Sequence, residues 1–521
     1  MTSTLADFSY WFAFLLSIGS LVFYLFNAFL NRTVASEKTD QSYEFNLGLP
    51  GFRSRESLFS ISLVAAGTSL STVFVFFLTA SSVFGWWVLL SPVLFALGNW
   101  VMFVTYRRLD SLGYLDETTL NVSGAGGLVP FLGQRITGSP VVATILVGLS
   151  VINLLAVLVL ELVVGVEVLG YLSRNALHTQ GSASLDFVVF ALSVLLLLGY
   201  VSVGGFRAVV ISDVWQMKAM RWAVMLGVLS LVVLVLRSHI SLAALSALSR
   251  APGGALLAGF VLNVILANLF SPLSQEASWQ RFRAFTREEN FDTRAAISRS
   301  VLSAVTLWAG LIALAFMLEL VVGGAAAGKL SSMAAVLEAF RTVNDWWFPL
   351  FVFPLLTVAS LSAMYSTADT CVSALLYLLE YWFIVRHAGA QVGRTKGLRA
   401  RWLAMIMVLV LSLGVFSFVR LWFKPTILQL VFSVFSNLVV IAPTVLLGTR
   451  LRPDPTGSFA RRRQFWTLMS LGLGFVTYWL SAILAIALGG DYLWLSQLSI
   501  VAGLAGSSLP MVPLLLREET A

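Results

Sequence analysis

Residues 363–373 read AMYSTADTCVS and set an Ala-x-x-Ser-Thr cluster and an aspartate inside one of the most hydrophobic stretches of the chain. As a helix, Ser362, Ser366, Asp369, Thr370 and Ser373 are linked by i+3 and i+4 spacings and share one face, with Ala363 and Thr367 beside it. Lipid offers hydroxyl and backbone groups no water, so a polar cluster at that depth is costly unless it faces an ion or substrate pathway. Hydroxyl oxygens and freed carbonyls are hard ligands of the kind that Na+ takes. The plain alternative is Ser and Thr bonding back to their own i−4 carbonyls, which only bends a helix. An ionisable Asp369 on the same face weighs against it.

The chain around this cluster has the matching composition: of 521 residues, 58% are hydrophobic and 11% charged. Apolar runs of about twenty residues, each able to cross about 30 Å of hydrocarbon, recur from end to end. They predict an all-α polytopic membrane protein of about 13 transmembrane helices. A lead helix covers roughly 8–30; ten helices start near 58, 83, 140, 186, 208, 253, 295, 346, 402 and 426; two trailing helices lie near 465–488 and 493–515. No basic residue precedes the lead segment, which is too long for a signal-peptide core and reads as retained.

Alternate connections are rich in Lys and Arg: Arg32 to Arg55, Arg107 and Arg108, Arg281 to Arg299, Arg386 to Arg401, and Arg450 to Arg463. The positive-inside rule makes these cytoplasmic, which puts the N-terminus outside and the C-terminus inside a plasma membrane, most simply a bacterial inner membrane. The net charge of +8 is then mostly an orientation signal. Nucleic-acid binding is disfavoured because the arginines are scattered over short loops. Cys371 is the single cysteine, and His178, His239 and His387 all fall in predicted connections. Nothing is spaced as a metalloenzyme site or a nucleophile–base pair, so no enzyme and no cofactor are expected.

Two other predicted helices are not simply lipid-facing. SISLVAAGTSLSTVFVFF at 60–77 places Ala65, Thr68, Ser69 and Thr72 on one stripe, with Gly67 where a local break is cheapest. The stripe alone reads equally as a close helix–helix contact through small residues. NVILANLFSPLSQEASWQRF at 263–282 is interrupted by Asn268, Ser271 and Pro272; Pro272 cannot donate its backbone bond. The two lie about 200 residues apart, each opening a set of five helices. Interrupted helices at corresponding positions of two repeats point to a transporter binding site at the midplane.

Three segments carry a resemblance: GYVSVGGFRAVVISDVWQ at 199–216, ANLFSPLSQEASWQR at 267–281, and Ala363-x-x-Ser366-Thr367. In that order they resemble the sodium/solute symporter family, over roughly 8–515. The resemblance implies a LeuT-type fold: a first five-helix repeat over 58–236, an inverted second repeat over 253–448, and the lead and trailing helices outside them, in one membrane unit. It implies a sodium site built from the carbonyls of Ala65, Thr68 and Ala363 and the hydroxyls of Ser366 and Thr367. Asp213 matches the family's acid near the ion's inward exit. Some members bind a second sodium there, which here would use Asp213, Asp369 and Thr370. Asp369 departs from the hydroxyl that several relatives carry. Two carboxylates at one site repel unless a cation sits between them or one is protonated. The alternative for Asp369 is a solvated position at the cytoplasmic mouth.

The solute is expected where the two breaks face each other, at Ser71, Thr72, Asn268, Ser271, Phe435 and Asn437. Hydroxyls and amides there can bind a polar solute between aromatic walls. No Lys or Arg lies at midplane depth, although a half-helix N-terminus could receive one carboxylate. Glu161 and Glu167 lie toward the outer end of the third core helix, as a cation-favouring feature or as a solvated vestibule. Sugar-transporting members are matched only at Asn268, and Ser271 stands where they place an aromatic gate. An amino-acid-like or urea-like solute is therefore favoured over sugar. The leading function is Na+-driven import of a small polar solute. The alternatives on the same fold are proton coupling and a solute-sensing module.

Overall fold

In a computed structural model, the structure describes residues 3–30, 55–112, 129, 131–178, 183–237, 253–286, 291–322, 332–343, 345–387, 394–420, 431–432, 436–450, 457–488 and 493–514. Every regular element among them is helical. In chain order they are α1 (Ser3–Leu30), α2 (Arg55–Gly67), α3 (Phe76–Phe84), α4 (Leu90–Ser111), α5 (Pro140–Leu177), α6 (Ala183–Arg237), α7 (Gly254–Ser274), α8 (Glu276–Thr286), α9 (Thr293–Val322), α10 (Met333–Thr342), α11 (Phe353–His387), α12 (Arg394–Phe418), α13 (Ala442–Gly448), α14 (Gly457–Leu488) and α15 (Leu493–Ser508). Ten stretches among the described residues are long and apolar enough to cross a membrane.

The two helices expected near 186 and 208 are both present as the two arms of α6, divided by a non-helical kink at Gly205. Gly205 has φ 62° and ψ −164°, a backbone only glycine reaches cheaply, so the bend is written into the GlyGly pair. The break expected at Gly67 falls one residue later, at Thr68 and Ser69, and a wide-turn π stretch (Leu70–Val75) leads on into α3. The break expected around Asn268–Pro272 lies further on. Helix α7 runs through Pro272 and stops at Gln275, whose extended backbone (φ −87°, ψ 111°) separates it from α8. Proline removes one donor but leaves the neighbouring turns to hold the helix, so a bend there need not become an end.

Helix α11 is the most enclosed span: 78% of its apolar window is buried, against 22% for the window in α12. It packs against α5, α6, α12 and the lead helix α1. Gly165 of α5 is what lets α11 approach, since a Cβ there would lie 1.8 Å from the Met364 sulfur. Gly98 does the same for α4 and α7: a Cβ would lie 2.1 Å from the Asn268 carbonyl oxygen. Helix α10 is tied down by Glu338, which accepts from Tyr10 of α1 (2.7 Å), Tyr171 of α5 and the Arg341 Nε (2.9 Å).

Candidate functional site

The polar face of α11 meets four different neighbours. Ser362 shares a 2.7 Å hydrogen bond with Tyr24 of the lead helix. Ser366 donates to Asp213 Oδ1 at 2.7 Å, and Thr367 donates to the Ala66 carbonyl, at the end of α2, at 3.3 Å. Asp369 accepts from Tyr200 and, at 3.1 Å, from Ser212. Thr370 accepts from Arg281 at 2.8 Å. A hydroxyl has one hydrogen, so Ser366 and Thr367, which spend theirs across helices, are not the back-bonded bend that Ser and Thr can make. That pattern does hold earlier in the helix, at Thr357, Ser360 and Ser362, which donate to the carbonyls of Phe353, Leu356 and Val358.

Asp213 is fully buried and is the hub of a closed ring. Its Oδ2 accepts from Ser62 at 2.6 Å and from Arg281 Nη2 at 3.0 Å, while Arg281 Nε donates to Ser62 at 2.9 Å. Arg281 is itself 1% exposed and also donates to the Ala277 carbonyl and faces the Phe206 ring. The cation expected near Asp213 is thus supplied in this state by the chain, from α8. Truncating one partner of such a buried pair leaves an uncompensated charge, a cost of about 3–5 kcal/mol. Asp369 is solved differently: it is fully buried rather than at a solvated mouth, two hydroxyls hold Oδ2, and Oδ1 has no partner among the described residues. Tyr200 and Ser212 lie on either side of the Gly205 bend, so Asp369 clasps both arms of α6.

Of the expected sodium-site residues, Thr367 reaches the break after α2 directly, through the Ala66 carbonyl. The Ala65 carbonyl accepts from the Thr68 N–H at 3.0 Å, and the Thr68 hydroxyl is held by Trp308 Nε1 at 3.0 Å and donates to the Val64 carbonyl. The donor set at the break is oxygen only. Ser366 and Thr367 have committed their hydrogens, so their lone pairs remain for a hard cation, which is the chemistry Na+ requires.

On the far side of the break, Glu161 of α5 was the residue that sequence position misjudged. Depth along a helix gives no partner, and the vestibule expected of it is absent: Glu161 is fully buried. Its Oε2 accepts from the Leu70 N–H at 2.8 Å and its Oε1 from the Ser71 N–H at 3.2 Å, and the Ser71 hydroxyl bonds to it as well. The Ser69 hydroxyl oxygen accepts from the Thr72 N–H at 2.8 Å. The first amides of the half-helix that begins at Leu70 are thereby satisfied from within. Each bond to a charged acceptor is worth roughly 1.5–3 kcal/mol.

A small cavity of about 40 Å³ opens beside the break, lined by Gly67, Thr72, Ser91, Asn263, Asn268 and Trp308 with Val73, Phe76 and Phe432 among its apolar walls. Of the expected solute residues it gathers Thr72 and Asn268. Ser71 is turned to Glu161, Ser271 is buried in α7 away from this lining, and Asn437 bonds to Asn153 of α5. Phe435 lies outside the described residues. Ser91, Asn263 and Trp308 were not anticipated. Ser91 comes from α4 and Trp308 from α9, where nothing in the local sequence marks them, and Asn263 lies five residues before Asn268 on α7.

No protein-family model matches the chain, and no curated protein does. Among solved structures, the chain is similar to a Na+-coupled sialic acid symporter in a substrate-bound outward-open state, with 13% identity over 96% of this chain and 97% of that one, at a TM-score of 0.59. It is also similar to MhsT in complex with L-phenylalanine, with 15% identity over 89% of this chain and 98% of that one, at a TM-score of 0.50. The fold is LeuT-type. At these identities the likeness is one of fold alone.

Proposed function

We propose that this chain is a sodium-coupled secondary transporter that imports a small polar organic solute by alternating access. The observation that carries the reading is the Thr367 hydroxyl set against the Ala66 carbonyl at the helix break, next to Ser366 on Asp213, with a cavity opening beside that same break. Sodium would be held by the carbonyls of Ala65, Thr68 and Ala363 and the hydroxyls of Ser366 and Thr367. Bound there, the ion supplies positive charge that draws the broken helix and α11 together. An ion that favours one arrangement of these helices raises solute affinity in that arrangement, which is the thermodynamic content of coupling. Thr72 and Asn268 would bind the solute beside Ser91, Asn263 and Trp308. The two five-helix repeats would rock about this point, with the N-terminus outside and the C-terminus inside.

A second cation site at Asp213, Asp369 and Thr370 is part of the proposal. It requires Arg281 to withdraw, because its guanidinium now bridges Asp213 and Thr370. Proton coupling is the second reading. The observation favouring it is the unpartnered, buried Oδ1 of Asp369. Counterflow in proteoliposomes against a solute panel, with Na+ or with a pH gradient, separates the two. Solute accumulation that needs Na+ supports the first; accumulation driven by pH alone and abolished in Asp369→Asn supports the second.

A further inference from the structure

We propose that Glu161 is a built-in stand-in for a substrate carboxylate, and that the site therefore takes a neutral solute bearing amide or urea N–H groups and excludes carboxylates. This deepens the transport reading above and rests on it. A helix N-terminus exposes unsatisfied N–H groups and the positive end of the dipole, so it attracts an anion. In broken-helix transporters that end is where an anionic substrate group docks. Here the place is taken: the Leu70 and Ser71 amides and the Ser71 hydroxyl all go to Glu161, and the Thr72 amide goes to Ser69. A solute carboxylate arriving at the break would meet the Glu161 carboxyl group in its place, with the Leu70, Ser71 and Thr72 amides already paired.

The cavity is the second, independent observation. Among the described residues, no Asp, Glu, Lys or Arg lines it. Glu161 is fully buried, faces the half-helix and is absent from the lining, so it offers no counter-charge to a cationic solute either. What the cavity does offer is acceptor oxygen. Asn268 spends its amide hydrogens on Ser91 (3.2 Å) and the Val264 carbonyl (2.9 Å), which leaves its side-chain carbonyl oxygen for a solute N–H. Aromatic Phe76 and Phe432 suit the flat face of a conjugated amide. Of the two solute classes favoured by sequence, the urea-like one survives and the amino-acid-like one does not.

The test is thermal stabilisation of the purified full-length protein in saturating Na+ by isosteric probes: propionamide and benzamide, propionate and benzoate, and the cation benzamidine. The amides should stabilise wild type, with half-saturation at least tenfold below that of the carboxylates or of benzamidine. In Glu161→Ala, which frees the half-helix terminus, propionate and benzoate should gain at least tenfold. Glu161→Gln, which keeps the shape and removes the charge, should gain less and guards against a folding failure of the first variant. Carboxylate or benzamidine binding to wild type as tight as the amides, no amide binding at all, or no gain in either variant overturns the proposal. Amide binding equal with and without Na+ would leave this inference standing and count against sodium coupling.

Discussion

The chain breaks two core helices and treats the two breaks in opposite ways. At Thr68–Ser69 the freed amides are satisfied from a distance, by the carboxylate of Glu161 on α5. At Gln275 the freed groups are satisfied locally. The Gln275 N–H returns to the Ser271 carbonyl at 3.1 Å, the Ser278 N–H takes the Gln275 carbonyl at 3.0 Å, and the Trp279 indole N–H reaches the Leu273 carbonyl at 2.9 Å. The first break imports a negative charge. The second exports a positive one, since Arg281, one turn into α8, reaches out to Asp213. A break that depends on another helix is pinned to it, whereas a self-contained break can move as a unit. Arg281 is the latch that ties the second break to Asp213 of α6.

Breaking that latch should give the largest effect. Arg281→Ala leaves Asp213 buried without its cation and should cost about 3–5 kcal/mol in thermal or denaturant unfolding of the detergent-solubilised protein. Adding Asp213→Asn should recover part of the loss, because the two sites share one network. Independent additive losses would show that the latch does not exist. At the other break, Glu161→Gln should cost about 1–3 kcal/mol by leaving helix-terminal amides poorly paired. Within the self-contained break, Trp279→Phe removes the neutral hydrogen bond to Leu273 and leaves a small void beside a fully buried ring, and should cost about 2 kcal/mol. A Trp279→Phe loss as large as that of Arg281→Ala would erase the contrast between local and long-range satisfaction.

Most of the architecture was legible because burying polar groups in lipid is costly, so Ser366, Thr367 and Asp213 stand out against Leu and Val. What a linear reading could not supply was pairing. Glu161 lies about 90 residues from its partner Ser71, and spacing along α5 says how deep it sits but not what it touches. Likewise, Arg281 read as part of a cytoplasmic connection, and only the turn at Gln275 aims it at Asp213. Pro272 was too strong a punctuation mark. The break sits three residues later, where the backbone itself becomes extended.

The smallest expected effect lies away from both breaks, at α10. Burial alone would raise the Glu338 carboxyl, but hydrogen bonds from Arg341, Tyr171 and Tyr10 outweigh it and hold the group below the usual carboxylate range. A depressed value means the stabilisation is complete above the ordinary glutamate value of about 4.3 and is lost as pH falls through the folded-state value. Because the Glu338 side chain is 37% exposed, solvent screens most of this term. Melting curves of wild type and Glu338→Gln should differ slightly at pH 7 and converge in acid. A difference that grew on acidification would contradict the assignment.

If the hydroxyl pair on α11 and the broken helix hold sodium, equilibrium binding of radioactive Na+ to the purified protein will show it. Binding should be saturable in wild type and at least tenfold weaker in the Ser366→Ala, Thr367→Ala double variant, with the fold retained. Equal Na+ binding by the two proteins, or none by wild type, would contradict a sodium site there.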